Sequence, residues 1–267
     1  MAVRIAVFGA GGKMGHAIVR AIADAEGAVL AAAIERADYP HLGADIGQLA
    51  GLPASGVRLS DQRPDKGAAD VWIDFSAPSA TVANVDAAVV AGAAIVVGTT
   101  GLSPTDKEKI GGAAKKIPVV LTPNMSMGMN VLLKLVADAA RKLGPAYDIE
   151  IVETHHRAKR DAPSGTALRI AEAVAEASGR DLATTARYER HGDLGPRPAT
   201  EIGIQTLRGG DVFGDHTVHF LGQGDRIEIT HRASSRDTFA RGAVRAALWL
   251  AGKPAGLFDM QDVLGLK

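Results

Sequence analysis

The sequence predicts an α/β fold: a Rossmann-type doubly wound parallel sheet, joined to a second α+β domain with a mixed or antiparallel sheet. An apolar run at the N-terminus leads directly into a glycine-rich turn. Strand-like and helix-like stretches then alternate through the first half of the chain, which is typical of βαβ units. Beyond about residue 200, strand-like stretches follow one another, with the alternation expected of a sheet that is covered on one face.

Composition limits the possible functions. The 267 residues are enough for one large or two modest hydrophobic cores. The 30 Lys and Arg residues balance 30 Asp and Glu residues, so we expect neither a nucleic-acid nor a membrane partner. The absence of cysteine excludes disulfides and thiolate metal sites. We find no signal peptide and no apolar stretch long enough to cross a bilayer, and we therefore expect a cytoplasmic protein.

The first strand is expected at "VRIAVF", and the turn "GAGGKMG" leads from it into a helical pattern. Glycines at such a turn allow the backbone to approach a pyrophosphate at the helix start. The strict G-x-G-x-x-G spacing is not met, because Met14 stands in the third position and Gly15 follows it. Glu35 ends the next strand about 20 residues later, where it can bind ribose hydroxyls, and Arg36 beside it can meet a 2′-phosphate. We predict dinucleotide binding; the alternative is a βαβ turn that binds nothing.

The stretches "DVWIDFS", "AAIVVGTTG" and "IPVVLTPN" continue the sheet, with helices between them. Ligands of such sheets lie beyond the carboxyl ends of the strands, so three loops are predicted to face the cofactor. The "GTTG" loop supplies two hydroxyls, although it can also be a simple turn. The predicted cofactor residues are Gly9, Ala10, Gly11, Gly12, Lys13, Met14, Glu35, Arg36, Gly98, Thr99, Thr100, Thr122, Pro123, Asn124 and Met125.

The helix "SMGMNVLLKLVADAARKLG" is expected to carry the chain into the second domain, with its methionines in the core. Three strands follow, "EIGIQTLRG", "DHTVHFLG" and "DRIEITHRA", and the turns "GGDVFGD" and "GQGD" are typical of antiparallel connections. The last long helix, "SRDTFARGAVRAALWLAG", is predicted to pack back on the first domain. We place a dinucleotide-binding domain at 1–126 and 236–267, and a substrate-binding and oligomerisation domain at 127–235.

The stretch "EIVETHHRAKRDAPSGTAL" combines a strand, a basic loop and a helix start. Ser164 is a good N-cap for that helix, whose first turn offers the N–H groups of Gly165 and Thr166 to an anion. A basic loop that runs into the positive end of a helix can hold an anion and move protons; the alternative is a solvated surface loop. The basic residues of the loop are His155, His156, Arg157, Lys159 and Arg160.

We predict no metal site. His216 and His219 lie three positions apart in a predicted strand, so their side chains point to opposite faces. His155 and His156 also diverge if the backbone there is extended.

The segments "GAGGKMG", "DFS", "VGTTG", "TPNMSMGMN", "EIVETHHRAKRDAPSGTA" and "SSRDTFARGAVRAALWLAGKPAGLFDMQDVLGL" together resemble the bacterial 4-hydroxy-tetrahydrodipicolinate reductase family, also called dihydrodipicolinate reductase. The resemblance covers nearly the whole chain in order, and the loop between His155 and Thr166 is its most specific part. "TPNMS" differs from the "AANFS" version of some members.

The resemblance implies a reduction by NADH or NADPH of a small dicarboxylate, in the diaminopimelate route to lysine. It implies that His155 is the acid/base residue, Lys159 the proton donor and His156 a substrate contact. Gly165 and Thr166 are implied to bind a substrate carboxylate, where Ser164 either caps the helix or donates as well. A homotetramer built through the sheet of the second domain is also implied.

Two other hypotheses remain open from the sequence. One is a different nicotinamide-dependent dehydrogenase on the same two-domain plan, such as one that acts on an amino acid semialdehyde. The other is a redox-sensing protein that binds NAD(P) without turnover.

Overall fold

The computed structural model describes residues 1–267. The chain forms two compact units, one from Met1–Met127 with Arg236–Lys267 and the other from Gly128–Ser235. None of the helices is both long enough and apolar enough to span a membrane.

The first unit begins with β1 (Val3–Phe8), α1 (Lys13–Asp24), β2 (Ala28–Ile34), α2 (Ile46–Leu49), β3 (Leu59–Ser60), β4 (Val71–Asp74), α3 (Pro78–Ala91), β5 (Ala94–Val97), α4 (Pro104–Ala113) and β6 (Pro118–Leu121). Helix α5 (Met127–Leu143) leads into the second unit, which contains β7 (Asp148–His155), α6 (Gly165–Ala177), α7 (Leu182–Thr185), β8 (Ala186–Arg187), β9 (Ile202–Arg208), β10 (Gly214–Leu221) and β11 (Arg226–Ala233). The chain then returns to the first unit with α8 (Asp237–Leu250), β12 (Gly256–Phe258) and α9 (Met260–Leu264).

Seven parallel strands form the sheet of the first unit, in the order β12-β6-β5-β4-β1-β2-β3. The inner strands are apolar because helices cover both faces, α1 and α8 on one side and α3 and α4 on the other. The strand order reverses beside β1, and the carboxyl ends of all seven strands meet at one edge of the sheet. The predicted Rossmann-type sheet is confirmed, and so is the packing of the last long helix on it.

The sheet of the second unit is mixed, in the order β11-β10-β7-β9-β8. Strand β7 pairs antiparallel with β10 and parallel with β9, and helices α5 and α6 cover one face of the sheet. Met129 of α5 is buried, as expected of a core methionine. The "GQGD" turn joins the antiparallel pair β10 and β11 as predicted. The "GGDVFGD" turn joins β9 and β10, which run antiparallel as predicted, but β7 lies between them in the sheet.

Helix α8 approaches the backbone after β6 very closely. A Cβ atom built on Gly242 would lie 1.8 Å from the carbonyl oxygen of Met125. We expect Gly242→Ala to lower the free energy of unfolding by at least about 1–3 kcal/mol, because the helix must shift away from the sheet. Urea denaturation measures this change.

Gly111→Ala in α4 is the matched control, because nothing lies within 4 Å of a Cβ atom built there. Alanine in this helix should raise stability by about 0.5–1 kcal/mol. If both substitutions changed the free energy of unfolding equally, close packing would not be the reason for glycine at position 242.

Candidate active site

Three glycines shape the turn between β1 and α1. Gly9 has a φ of +75°, and a Cβ atom there would meet the Phe75 carbonyl oxygen at 2.6 Å. Gly12 is the N-cap of α1 and leaves the helix start without a side chain. A Cβ atom on Gly15 would lie 2.3 Å from the Gly9 oxygen, so this residue allows the helix to pack on the turn. Gly15 thus performs the packing task of the third glycine, which explains the departure from the strict spacing.

The acidic residue after β2 is bonded to this turn. The Glu35 carboxylate accepts hydrogen bonds from the N–H groups of Gly11 at 3.0 Å and Arg36 at 3.1 Å. Tyr39 donates its hydroxyl proton to the Gly11 carbonyl at 2.8 Å, a contact that sequence patterns do not indicate. The Arg36 side chain is exposed and pairs with Asp38 at 3.1 Å.

A cavity of about 680 Å³ adjoins the turn. Its lining combines apolar groups, the glycine backbone and both charged residues after β2, a mixture that suits an adenosine moiety and its phosphate. This cavity is therefore the candidate site for the predicted dinucleotide. The lining residues that matter here are Gly9, Gly12, Glu35, Arg36, Tyr39 and Arg63.

The loops after β5 and β6 lie at the same edge of the sheet, but only some of their side chains are exposed. Thr99 is buried and donates its hydroxyl proton to Asp74 at 3.1 Å, whereas Thr100 is exposed. Thr122 and Met125 are buried as well. Within these loops the structure leaves Thr100, Pro123 and Asn124 with the greater exposure.

A buried carboxylate that sequence reasoning missed organises the loop after β4. Asp74 accepts hydrogen bonds from the Ser76 hydroxyl at 2.6 Å and the Asn84 amide at 2.9 Å, besides that of Thr99. Asn84 in turn accepts from the Arg63 guanidinium, which lines the cavity. The available signal was an acidic residue at the end of the apolar strand "VWID".

In the second unit, β7 is longer than the sequence suggested. We placed His155 in the basic loop, but it is the last residue of the strand and is only 8% exposed. The reason lies in its partners, because β9 and β10 continue the sheet along this end of β7. His156 follows it with intermediate exposure, while Arg157 and Arg160 are exposed.

Glu153 is the partner that sequence reasoning missed. It is fully buried, and its Oε2 atom lies 2.5 Å from Nδ1 of His155. The Arg208 guanidinium donates two hydrogen bonds to the same carboxylate, at 2.8 and 2.9 Å. Oε1 also accepts the backbone N–H of Ser164 at 3.0 Å. One carboxylate therefore joins the end of β7, the end of β9 and the start of α6.

Ser164 caps α6 as predicted. Its Oγ atom accepts the N–H of Ala167 at 3.1 Å and lies 3.1 Å from Nε2 of His216, so the side chain is directed into the protein. Gly165 is exposed and Thr166 has intermediate exposure at the first turn of the helix. Lys159 forms an ion pair with Asp161 at 2.9 Å.

The charges of this cluster follow from its burial and hydrogen bonds. Burial raises the pKa of Glu153, but the bonds from Arg208, His155 and the Ser164 N–H outweigh it and bring that pKa to about 2. Burial lowers the pKa of His155, and Glu153 only partly opposes this effect. Burial also lowers the pKa of His216 to about 3. At neutral pH the cluster therefore holds an ionised carboxylate and two neutral histidines.

No group of three or more His, Cys, Asp or Glu side chains is arranged to hold a metal ion. His216 and His219 alternate between the buried and the more exposed face of β10.

The fold and the two candidate sites fit a pyridine-nucleotide-dependent oxidoreductase. Residues 3–125 match the family model described as dihydrodipicolinate reductase, N-terminus, and residues 128–264 match the one described as dihydrodipicolinate reductase, C-terminus. The chain therefore belongs to the dihydrodipicolinate reductase family.

Full-length relatives agree. The 4-hydroxy-tetrahydrodipicolinate reductase of Anaeromyxobacter dehalogenans strain 2CP-1 is 55% identical, over 99% of this chain and 98% of the relative. That of Citrifermentans bemidjiense is 50% identical, over 99% of this chain and 100% of the relative. Among solved structures, dipicolinate-bound dihydrodipicolinate reductase from Paenisporosarcina sp. TG-14 shares the fold, with a TM-score of 0.77 and 23% identity over 98% of this chain and 99% of that one.

The buried histidine of β10 makes stability depend on pH. Below its ordinary pKa of about 6.5, His216 binds a proton in the unfolded chain, but in the folded chain it does so only near pH 3. The free energy of unfolding should therefore fall as the pH drops from 6.5 towards 3. We expect His216→Asn to reduce the loss between pH 7 and pH 5 by about 2 kcal/mol, measured by denaturation at each pH.

Glu153 does not alter the stability change between pH 7 and pH 5. The stability that its lowered pKa provides is lost only below its ordinary pKa of 4.5. His219→Asn, on the other face of the same strand, is the control. If the free energy of unfolding of His216→Asn fell with pH as much as that of the wild type, His216 would not be the group that causes the loss.

Proposed function

We propose that this chain reduces 4-hydroxy-tetrahydrodipicolinate to tetrahydrodipicolinate with NADH or NADPH, in the diaminopimelate route to lysine. Loss of water from the substrate leaves a conjugated cyclic imine, to which a hydride and a proton are then added. Membership of the family and the full-length relatives support this reaction. The observation that carries it is the bonded pair of Glu153 and His155, next to a basic loop and a helix start.

The first unit is proposed to bind the cofactor. The backbone of the turn from Gly9 to Met14 would receive the pyrophosphate at the start of α1, and the cavity beside it would receive the adenosine. Glu35 can bind the ribose hydroxyls and Arg36 a 2′-phosphate, so we expect both cofactors to be used. When bound, the reduced nicotinamide supplies the hydride. Of the loop residues, Thr100 and Asn124 are better placed than Thr99 to contact it, because the Thr99 hydroxyl is bonded to Asp74.

The second unit is proposed to bind the substrate, which carries two carboxylates. The N–H groups at the start of α6 and the positive end of its dipole favour an anion, and Gly165 leaves room for close approach. Thr166 can add a hydroxyl and His156 a further donor. Ser164 holds the helix start in place. The relative from Paenisporosarcina is described as binding dipicolinate, a planar dicarboxylate, which supports this class of ligand.

Two side chains are proposed to handle the proton. Nδ1 of His155 lies against the Glu153 carboxylate, so Nε2 is the ring nitrogen that remains for proton transfer. His155 can therefore take a proton or orient a donor, and Lys159 is the group that gives the proton to the ring carbon. Arg157 and Arg160 cannot replace it, because a guanidinium does not release its proton.

Turnover is the test of the reaction. Purified protein is mixed with freshly made substrate and NADH or NADPH, and the absorbance of the reduced cofactor is followed. A substrate-dependent fall supports the proposal. Oxidation with an amino acid semialdehyde alone would favour the other dehydrogenase, and binding without oxidation would favour a redox sensor. The family resemblance further supports a homotetramer built through the second unit, which sedimentation would test.

The cofactor assignment predicts an unequal effect of Arg36→Ala. The loss of a charge-assisted bond to the 2′-phosphate should weaken NADPH binding by roughly tenfold or more, since such a bond contributes about 1.5–3 kcal/mol. NADH, which lacks this phosphate, should bind nearly as before. Titration of both cofactors measures the effect, with Arg141→Ala on α5 as a control. An equal loss for both cofactors would refute this role of Arg36.

The proton-donor assignment predicts that Lys159→Ala lowers kcat by about 10²–10⁴-fold, the usual contribution of general acid catalysis. Lys134→Ala is a matched control, because Lys134 also pairs with an aspartate, Asp138, at 3.5 Å. Steady-state kinetics separate the possibilities. A rise in KM with kcat unchanged would mean that Lys159 only attracts the substrate.

A further inference from the structure

The position of Glu153 in β7 is unusual for a structural residue. The inward-facing series of this strand runs Ile149, Ile151, Glu153 and His155, and Glu153 is fully buried. Burial of a charge costs several kcal/mol unless its partners are well placed, and an apolar residue would suit this face of the sheet better. The carboxylate therefore points to a function other than stability.

All the partners of this carboxylate come from neighbouring positions in the sheet or from the loop after it. The register places Thr206 and His216 on either side of Glu153, and Arg208 beside His155. Oε1 accepts hydrogen bonds from the Thr206 hydroxyl at 3.1 Å, the Ser164 N–H and Arg208. Oε2 is left to Arg208 and to Nδ1 of His155.

We propose that Glu153, held ionised by Arg208, is a positioning residue of the reaction: it fixes the tautomer and the orientation of His155. This inference rests on the proposed function. An ionised carboxylate only accepts hydrogen bonds, so Nδ1 of His155 must carry the proton and Nε2 must carry the lone pair. Nε2 is then the only ring atom that can accept a proton.

The same carboxylate fixes the anion site relative to this histidine. Its bond to the Ser164 N–H holds the residue that caps α6, where the substrate carboxylate is proposed to bind. Arg208 also donates to the carbonyl of Asp161 at 2.7 Å, within the basic loop. The loop is thus held at the end of β7 by the bond to His155, at Asp161 by Arg208 and at the helix start by the bond to Ser164. The ion pair of Glu153 and Arg208 thus sets the distance between the proton acceptor and the anion site.

Glu153→Gln tests this role, because the amide keeps the shape and one acceptor oxygen but loses the charge. Nitrogen NMR of histidine-labelled protein reports the tautomer without substrate. We expect His155 to be protonated at Nδ1 in the wild type and to lose this single tautomer in Glu153→Gln. We also expect kcat to fall by roughly 10–100-fold or more. The affinity for pyridine-2,6-dicarboxylate should change by less than about threefold, because the amide oxygen of Gln can still accept the Ser164 N–H that holds the anion site.

The pH dependence of kcat/KM distinguishes a positioning role of Glu153 from a purely structural one, which would leave it unchanged. The charged or titratable groups around His155 are Glu153 on its own strand, Arg208 on β9, His216 on β10 and Lys159 in the loop. Among them Glu153 favours the protonated imidazole. Its replacement by Gln should therefore shift the acidic limb of the kcat/KM profile to lower pH. Glu153→Asp, which keeps the charge, should leave that limb nearly in place and retain the Nδ1 proton, even if Glu153→Gln does not fold.

Glu150→Gln is the matched control. Glu150 lies on the other face of β7. Like Glu153 it is bonded by guanidinium groups, those of Arg190 and Arg197, but it has no histidine partner. An unchanged tautomer and kcat in Glu153→Gln would overturn the inference, as would an equal loss of kcat in Glu150→Gln. The proposed function fails separately, if the wild type does not oxidise either cofactor with the substrate; the tautomer is still decided by NMR in that case.

Discussion

The candidate site of the second unit depends on one ion pair, between the buried carboxylate of Glu153 and the partly exposed guanidinium of Arg208. Glu153 can stay ionised among the isoleucines of β7 only because Arg208 and three other donors surround it. Such a pair contributes little net stability compared with apolar packing, but it permits only a narrow range of geometries. That geometry links two sheet strands to the start of α6. The basic loop between β7 and α6 is therefore bonded to the sheet at Asp161 and at the helix start, although much of it is exposed.

The alternation of residues in β7 indicates that Glu153 and His155 share the inner face of the sheet, although we predicted only the role of His155. Once Ile149 and Ile151 are assigned to the inner face, the two-residue period of a strand places Glu153 and His155 there too. Strands β9 and β10 show the same change from apolar to polar inward residues towards this edge. What periodicity could not supply is the pairing, because it brings together residues 53 and 55 positions apart. For the same reason, the pattern at "GGDVFGD" did not show that β7 lies between the two strands which this turn connects.

In the first unit, strand order and the glycine turn were predictable because both follow from local patterns: apolar runs, punctuating glycines and helix starts. The individual roles of the polar side chains in the loops could not be predicted from such patterns. Thr99 and Thr100 are equivalent in the sequence, yet one hydroxyl is bonded to a buried carboxylate and the other is exposed. The difference comes from Asp74 at the end of the neighbouring strand, because its carboxylate accepts the hydroxyl proton of Thr99. Side-chain direction in a loop depends on such partners, which lie elsewhere in the chain.

The first unit is discontinuous: α8 and β12 belong to it, although more than a hundred residues separate them from β6. Helix α8 covers one face of the parallel sheet, and β12 forms its edge beside β6. During synthesis, the N-terminal portion must therefore wait with part of one core layer uncovered until α8 and β12 have left the ribosome. The intervening unit has no such dependence and can complete its own core earlier, so the order of folding is expected to run against the order of translation.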